Sequence, residues 1–216
     1  VTAESLKTAL DTKKEEWRAK ASDEIKRIYT EGIASVEASD LWQSVLKEGD
    51  VAIDFELINA TGKSVSLRET LKNGPVILTW YRGGWCPYCN LTLQYLQRVL
   101  PQFQAEGATL IALTPEVPDK SLSTKEKHQL AFEVLSDLDN NVARSYGIIF
   151  KLTEEVAEKY QNAFDLAAYN GNEDAELPLA ATYVIGQDQI IKYAFLDAEY
   201  RNRAEPEAIL KVLQAL

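Results

Sequence analysis

The chain has 216 residues, of which 46% are apolar and 26% are charged, and its formal net charge is −10. This composition is typical of a folded globular protein with one sizeable domain and an extension. The acidic balance, without any block of Lys and Arg, excludes nucleic acid as the expected partner, because phosphate binding needs clustered cations.

The first 46 residues carry apolar side chains at helical spacing among Lys and Glu. The pattern predicts helix, broken near Gly32 and resumed at Asp40. We therefore expect a helical extension over residues 1–48. Its apolar stripe must pack on the face of the main domain or, as the alternative, on a partner or a second copy of the chain.

From residue 49 onward the pattern changes from helical to alternating and then to buried strands. A turn at Thr61-Gly62-Lys63 separates two alternating segments, which predicts a β-hairpin. A continuous apolar run at 75–81 predicts a central strand, a helical stripe then ends at Gly107, and a second buried strand follows. Strand, helix and strand of these lengths form a βαβ unit with parallel strands.

The remaining elements continue the alternation. They are a charged helix near 120–129, a short strand at 132–135, a helical turn near 142–146, an insertion at 153–177, an antiparallel hairpin at 181–195 and a helix starting near Pro206. This order predicts an α/β protein with a thioredoxin-like fold. Residues 49–216 would form a central mixed sheet flanked by helices, with an N-terminal β-hairpin and the helical extension.

The chain has two cysteines, and they form the motif Cys86-Pro87-Tyr88-Cys89 at the junction of the first buried strand and the helix. Pro is favoured at the first helical position, so Cys86 is predicted to be the N-cap. The free N–H groups and the dipole of the helix should lower the pKa of its thiol. Cys89, one turn later, is then the natural resolving thiol. So few cysteines suit a reducing compartment, and we expect the cytoplasm.

The cysteine pair has two other interpretations. A zinc site needs about four ligands, but the chain offers two cysteines and one distant His128, so no metal and no other cofactor is expected. The cysteines could also be buried small hydrophobic residues without chemistry. His128 lies in a charged segment, where a lone histidine is more often solvated than catalytic.

Residues 50–214 resemble the AhpC/TSA-type, peroxiredoxin-like branch of the thioredoxin superfamily. The motifs that carry the resemblance are 76–89, Ser136-Asp137, Tyr146-Gly147, Leu177-Pro178, 181–185 and 205–210. The resemblance implies a thiol-dependent antioxidant enzyme that reduces peroxides or protein disulfides, with a thioredoxin-like or other dithiol reductant. The resemblance also allows a homodimer as the oligomeric state.

The resemblance leaves two registers for the attacking cysteine. In a thioredoxin register Cys86 attacks and Cys89 resolves, and this is the assignment that the helix cap favours. In a peroxiredoxin register, whose active loop reads Thr-Pro-x-Cys, Cys86 stands at the threonine and Cys89 is peroxidatic. The family also uses a later arginine, at a place where this chain has Leu179-Ala180.

The missing threonine and arginine shift the expectation from a dedicated peroxidase toward dithiol/disulfide exchange. Arg82 and Arg144 are the arginines that could substitute. We further expect Trp85 and Tyr88 to shape an apolar rim, with Arg82, Pro87 and Thr114 at the same pocket. The alternative function is a non-catalytic redox sensor or binding protein, switched by the same cysteine pair.

Overall fold

The computed structural model describes residues 4–59 and 61–216. In that part of the chain the N-terminal elements are α1 (Leu6–Lys20), α2 (Asp23–Glu37), α3 (Leu41–Ser44), β1 (Glu56–Ile58), β2 (Ser64–Ser66) and α4 (Leu67–Leu71). The central elements are β3 (Val76–Trp80), α5 (Pro87–Ala105), β4 (Thr109–Thr114), α6 (Pro118–Lys127), β5 (Glu133–Ser136) and α7 (Asn141–Ser145). The C-terminal elements are β6 (Ile149–Lys151), α8 (Glu154–Phe164), α9 (Leu166–Asn170), β7 (Glu176–Pro178), β8 (Thr182–Ile185), β9 (Ile191–Phe195) and α10 (Pro206–Leu213).

The central sheet has five strands in the order β5-β4-β3-β8-β9. Strand β4 runs parallel to both β3 and β5, whereas β8 is antiparallel to β3 and to β9. The predicted βαβ unit and C-terminal hairpin are therefore confirmed, and so is the mixed sheet of a thioredoxin-like fold. The predicted N-terminal hairpin is the antiparallel pair β1 and β2.

Helices cover both faces of the sheet, which explains why β3 reads as a continuous apolar run. Val76 and Leu78 of β3 point into one core, together with the hairpin, α4 and α7. Ile77 points into the opposite core, with α1, α5 and α10. Because successive side chains of a strand alternate between the faces, a central strand with two cores is apolar at nearly every position. The exception, Thr79, is buried, and its hydroxyl is hydrogen-bonded to that of Thr182 at 2.8 Å.

The N-terminal extension is helical, but the predicted break near Gly32 is wrong. Ser22 separates α1 from α2, because its side chain accepts a hydrogen bond from the Ile25 N–H and caps the second helix. Gly32 lies inside α2, where a Cβ atom would stand 2.9 Å from Val156 Cγ2 of α8. The glycine therefore permits close packing of α2 on α8 and does not end the helix.

The insertion at 153–177 was predicted only as part helix and part loop. It contains α8, α9 and the start of β7, and β7 pairs antiparallel with β6 to form a small third sheet that the sequence did not predict. Three-residue strands are too short for an alternating pattern to be recognised. The insertion and α2 share a third apolar cluster around Ile28, Val156 and Leu177.

In the described segments, 4–59 and 61–216, no helix is both long enough and apolar enough to span a lipid bilayer.

Candidate active site

The two cysteines lie where β3 gives way to α5. Cys86 is the N-cap of α5, its Sγ accepting a hydrogen bond from the Cys89 N–H at 3.4 Å, and Pro87 occupies the first turn. The predicted cap is therefore confirmed. Both cysteines are free thiols, and their exposed fractions are 1% and 0%. The pair is sealed from bulk solvent in this conformation.

The sulfur of Cys89 is surrounded by hydrogen-bond donors. The backbone N–H of Arg82 lies 3.5 Å from Cys89 Sγ, and the Nη2 of Arg203 donates to it at 3.4 Å. Arg203 lies in the loop between β9 and α10, far from the cysteines in the sequence. Burial alone would raise the pKa of Cys89. The Cys86 thiol, the two arginine charges and the Arg82 N–H outweigh burial and lower this pKa.

Cys86 behaves in the opposite way. Burial raises the pKa of its thiol well above the usual value, and the hydrogen bond and negative charge of Cys89 raise it further. The expectation that the helix cap lowers the pKa of Cys86 is therefore wrong. The helix dipole and a hydrogen bond from one N–H at 3.4 Å lower the pKa of Cys86 by less than full burial beside an anionic sulfur raises it.

Arg82, an expected pocket residue, is buried beside the pair inside a cage of aromatic rings. Its guanidinium carbon lies 4.1 Å from the Tyr200 ring centre, 5.1 Å from that of Trp85 and 5.3 Å from that of Tyr160. Its Nη2 donates to the Tyr160 hydroxyl at 2.7 Å. Its Nε–H has no acceptor among the described residues. The cage replaces water around this cation with ring faces.

Trp85 and Tyr88 form walls of the site rather than an exposed rim. Trp85 stacks on Phe164 of α8 with ring centres 4.3 Å apart. Tyr88 is buried and meets Tyr200 edge-on at 5.9 Å. The insertion thus closes the site through Phe164 and Tyr160, which are four residues apart and share one face of α8.

Thr114 and Glu116 fix the loop that leads into the cysteines. Glu116 is fully buried, and its Oε1 accepts a hydrogen bond from the Gly84 N–H at 2.8 Å. The Thr114 hydroxyl donates to its Oε2 at 3.3 Å. Burial raises the pKa of the Glu116 carboxyl. A Cβ atom on Gly84 would stand 2.2 Å from Thr124 Oγ1 of α6, so only glycine fits between these groups.

The N-terminal helices complete the enclosure. Leu6 and Leu10 of α1 are buried in the same apolar cluster as both cysteines. Tyr29 of α2 packs on Tyr160 with ring centres 5.9 Å apart, and a small cavity of about 20 Å³ between α2 and α8 reaches Arg82. The extension is therefore a wall of the site.

The family comparison agrees with this geometry. The family described as "AhpC/TSA family" matches residues 49–194. The chain belongs to the AhpC/TSA family. The predicted resemblance is thus confirmed, and a thiol-dependent peroxidase or oxidoreductase is the class of enzyme that its relatives indicate.

Among curated relatives, the chain is similar to the thiol-disulfide oxidoreductase ResA of Halalkalibacterium halodurans, with 26% identity over 107 residues. That alignment covers 49% of this chain and 60% of the relative, so the chain spans less than two thirds of that protein's length. It is also similar to the chloroplastic peroxiredoxin Q of Oryza sativa subsp. japonica, with 25% identity over 175 residues, 79% of this chain and 68% of that protein.

Among solved structures, the fold is similar to that of peroxidoxin BcpB from Mycobacterium tuberculosis. The TM-score is 0.63 at 21% identity, over 79% of this chain and 98% of that one. A mutant of PrxQ from Xylella fastidiosa gives a TM-score of 0.63 at 18% identity, over 80% of this chain and 98% of that one. These likenesses support the thioredoxin-like fold predicted from the sequence.

The resemblance implies an arginine near the attacking sulfur, and the arginine side chain that lies at Cys89 Sγ, Arg203, is one that the sequence analysis did not name. The segment Leu179-Ala180 contains no arginine. Arg144 lies on the surface, where its Nη2 forms a salt bridge with Glu176 Oε2 at 2.6 Å. Arg203 supplies the guanidinium instead. The only sequence signal was a pair of arginines, Arg201 and Arg203, in a short loop before the last helix, which looks like ordinary surface charge.

Metal and histidine chemistry have little support at this site. Over residues 4–59 and 61–216, His, Cys, Asp and Glu side chains do not assemble in threes or more into a plausible metal site. His128 is partly buried at the end of α6; its Nδ1 contacts Gln94 Nε2 at 3.0 Å, and its Nε2 is buried without a hydrogen-bond partner among the described residues. The groups that the structure brings together where β3 gives way to α5 are the two thiols and the neighbouring arginines.

Proposed function

We propose that this protein is a peroxiredoxin-like thiol peroxidase in which Cys89 attacks a small hydroperoxide and Cys86 resolves the product. One observation carries the proposal: Cys89 Sγ, and not Cys86 Sγ, receives the Arg203 guanidinium and the Arg82 N–H. These donors favour the thiolate, which is the nucleophilic form of a cysteine.

In the first step the Cys89 thiolate attacks the terminal oxygen of the hydroperoxide. The S–O bond forms as the O–O bond breaks, and the alkoxide or hydroxide leaves and takes up a proton. Cys89 becomes a sulfenic acid. Arg203 and Arg82 lie where negative charge moves from sulfur to the leaving oxygen, so they can stabilise that charge throughout the step.

In the second step the Cys86 sulfur attacks the sulfur of the Cys89 sulfenic acid. The S–S bond forms, the S–O bond breaks, and the hydroxide leaves as water with the proton of the Cys86 thiol. The raised pKa of Cys86 suits this order, because Cys86 stays protonated beside the Cys89 thiolate until Cys89 has been oxidised. A thioredoxin-type dithiol would then reduce the disulfide by exchange.

Burial of the pair favours a small oxidant over a protein disulfide as the substrate. Both cysteines are buried in an apolar cluster that includes side chains of α1 and aromatic side chains, so a protein disulfide could reach the sulfurs only after part of this cluster has moved. This reverses the expectation of mainly dithiol/disulfide exchange. That expectation rested on a missing threonine and a missing arginine. Arg203 provides an arginine from another part of the chain, whereas Cys86 still stands at the position of the threonine.

The test is to expose Cys86→Ser and Cys89→Ser to one equivalent of hydrogen peroxide and trap sulfenic acid with dimedone. We expect Cys86→Ser to form one sulfenic acid and stop, and Cys89→Ser to remain unreactive. Trapped sulfenic acid in Cys89→Ser, and none in Cys86→Ser, would make Cys86 the attacker. The wild type should consume peroxide repeatedly with thioredoxin present. A single stoichiometric oxidation without turnover would instead support the redox sensor.

A further inference from the structure

The loop between β9 and α10 contacts the reactive centre with two side chains. Arg203 donates to Cys89 Sγ at 3.4 Å, and the centre of the Tyr200 ring lies 4.1 Å from the guanidinium carbon of Arg82. Both contacts come from residues 196–205, whose described backbone forms neither helix nor strand. The position of the Arg203 guanidinium at the sulfur therefore depends on what holds this loop.

Two other side chains of the same loop contact α1. Glu199 forms a salt bridge with Lys14 at 3.3 Å, and the guanidinium carbon of Arg201 lies 5.2 Å from the centre of the Trp17 ring. Arg201 also donates to both carboxylate oxygens of Glu199, through Nε at 2.7 Å and Nη2 at 2.6 Å. Because the Lys14 and Glu199 side chains are only 20% and 16% exposed, solvent screens their attraction less than that of a surface pair. These contacts hold the loop against α1.

The geometry of α1 places Lys14 and Trp17 at the loop. Four side chains of α1 recur every three or four residues and so share one face of the helix: Leu6, Leu10, Lys14 and Trp17. The two leucines are buried in the cluster that contains both cysteines. Trp17 also packs on Tyr29 of α2, with ring centres 5.7 Å apart. Packing of the first turns of α1 therefore fixes where Lys14 and Trp17 meet the loop.

Hydrogen bonds inside the loop connect the α1 contacts to Arg203. The side chain of Asp197 accepts from the Glu199 N–H and from Asn202 Nδ2, both at 2.8 Å. The Asn202 N–H donates to the Glu199 carbonyl at 2.9 Å, and Arg203 Nη1 donates to the Asn202 carbonyl at 2.8 Å. A displacement of Glu199 is therefore passed on to Arg203.

We propose that Lys14 and Trp17 are positioning residues: by holding the loop, they keep the Arg203 guanidinium at the sulfur of the attacking cysteine. The inference rests on the function proposed above, in which that cysteine is Cys89. Lys14, Trp17 and Arg203 lie outside residues 49–194, the part of the chain that matches the AhpC/TSA family. The N-terminal extension thus controls the reactivity of a thiol that belongs to the matched domain.

The first test separates positioning from direct charge, because Trp17→Leu changes no charge. The pKa of Cys89 is measured from the thiolate absorbance at 240 nm in a Cys86→Ser background, where one thiol titrates. We expect Trp17→Leu to raise this pKa and to slow sulfenic acid formation with hydrogen peroxide by about tenfold, less than the loss of the Arg203 donor itself. Lys14→Met should act in the same direction, and Lys14→Arg, which keeps the charge, should restore the pKa and the rate.

Two control variants in the same background test whether lost packing or lost charge elsewhere moves the pKa. Trp42→Leu removes a half-buried tryptophan that packs against the core on the other face of the sheet. Lys20→Met removes an exposed lysine from the last turn of α1. Both controls should keep the pKa of the thiol and the peroxide rate. A shift in Trp42→Leu as large as that in Trp17→Leu would overturn the proposal.

The second test repeats Trp17→Leu in an Arg203→Met background. With no guanidinium to hold, Trp17→Leu should change neither the pKa of Cys89 nor the peroxide rate any further, so the two substitutions should be strongly non-additive. An undiminished effect of Trp17→Leu in this background would show that the tryptophan does not act through Arg203, and the proposal would fail.

The pKa titration needs no turnover, so it distinguishes this proposal from the catalytic one. A protein that is inert toward peroxide, but whose thiol pKa responds to Trp17→Leu only when Arg203 is present, would refute the peroxidase function alone. A working peroxidase whose thiol pKa is the same in Trp17→Leu, Lys14→Met and the parent would refute the positioning role alone.

Discussion

The site joins two regions that are built differently. The loop and helix start at 82–89 supply both thiols, and their placement follows from the local sequence: a buried strand, a glycine turn and a proline-led helix. The second region comes from distant parts of the chain and consists of α1, α2, α8 and the loop after β9. The first region supplies reactive atoms, whereas the second decides which sulfur is ionised and what can reach it.

The largest effect should come from removing the charge that the distant region supplies. Arg203→Met removes the donor at 3.4 Å from Cys89 Sγ and leaves the CxxC segment intact. We expect the second-order rate constant with hydrogen peroxide to fall by about 10²–10³-fold, the usual cost of losing one donor to a reacting centre. The absorbance of the thiolate at 240 nm should titrate at higher pH.

Two control variants separate charge from packing at this position. Arg203→Lys keeps the charge and should recover part of the rate, and Arg144→Met, at an arginine bound to Glu176 on the surface, should keep all of it. A wild-type rate in Arg203→Met would mean that the local region alone ionises Cys89, and the division between the two regions would fail.

The next effect is a pH-dependent contribution of Cys89 to stability. Its pKa is lowered in the folded protein, so between that pKa and the unfolded value of about 8.5 the unfolded chain binds one more proton. Stability should therefore rise with pH across this window, by up to about 1.4 kcal/mol per pH unit. The contribution is lost as pH falls through the folded-state pKa.

Urea unfolding of the reduced wild type and of Cys89→Ser, between pH 4 and 8, measures this difference while Cys86 is present in both. The gap between the two free energies of unfolding should widen toward pH 8. A constant gap would show that the cationic groups do not favour the thiolate.

The same division explains which parts of the structure could be predicted from the sequence. Pro87 marks the first turn of α5 and thereby the cap at Cys86, and the apolar run of β3 marks a strand covered on both faces. These signals are local. Arg203 is 114 positions from Cys89, and its neighbours look like surface charge, so only the tertiary structure brings it to the sulfur. The pKa order of the two thiols depends on that contact and on burial, and neither can be obtained from the spacing of the motif.

Loosening the helical cover should produce a smaller and selective effect. Leu10→Ala in α1 removes buried apolar contacts in the cluster that contains both cysteines, at an expected cost of about 2–4 kcal/mol. Because α1 packs into the cluster that buries the pair, alkylation of the thiols by iodoacetamide and reduction of the disulfide by thioredoxin should both accelerate. The acceleration is about tenfold if the substitution lowers the free energy of undocking α1 by about 1.4 kcal/mol.

The rate with hydrogen peroxide should change less, because a small oxidant needs less opening than a protein. Leu216→Ala, at an exposed leucine, is the matched control and should leave all three rates unchanged. Equal acceleration of peroxide and thioredoxin reactions would mean that α1 does not discriminate between them by size.

The smallest effect is expected at Glu116, which follows β4 and accepts a hydrogen bond from the Gly84 N–H of the first region. Glu116→Gln keeps an oxygen that can accept the Gly84 N–H but removes a carboxylate whose own pKa is raised by burial and, to a lesser degree, by the charge of Cys89. Because the repulsion is mutual, the variant should lower the pKa of Cys89 slightly and raise the peroxide rate at acidic pH by no more than about threefold, as expected for a charge that acts at a distance. Glu116→Ala removes the acceptor as well and should slow the reaction at every pH, since the turn that positions the Arg82 N–H is no longer held by this hydrogen bond.

A measured difference between these two variants separates the charge of Glu116 from its hydrogen bond. If both variants slow the reaction equally at every pH, Glu116 acts only by holding the turn, and the ionisation of Cys89 depends on the arginines alone.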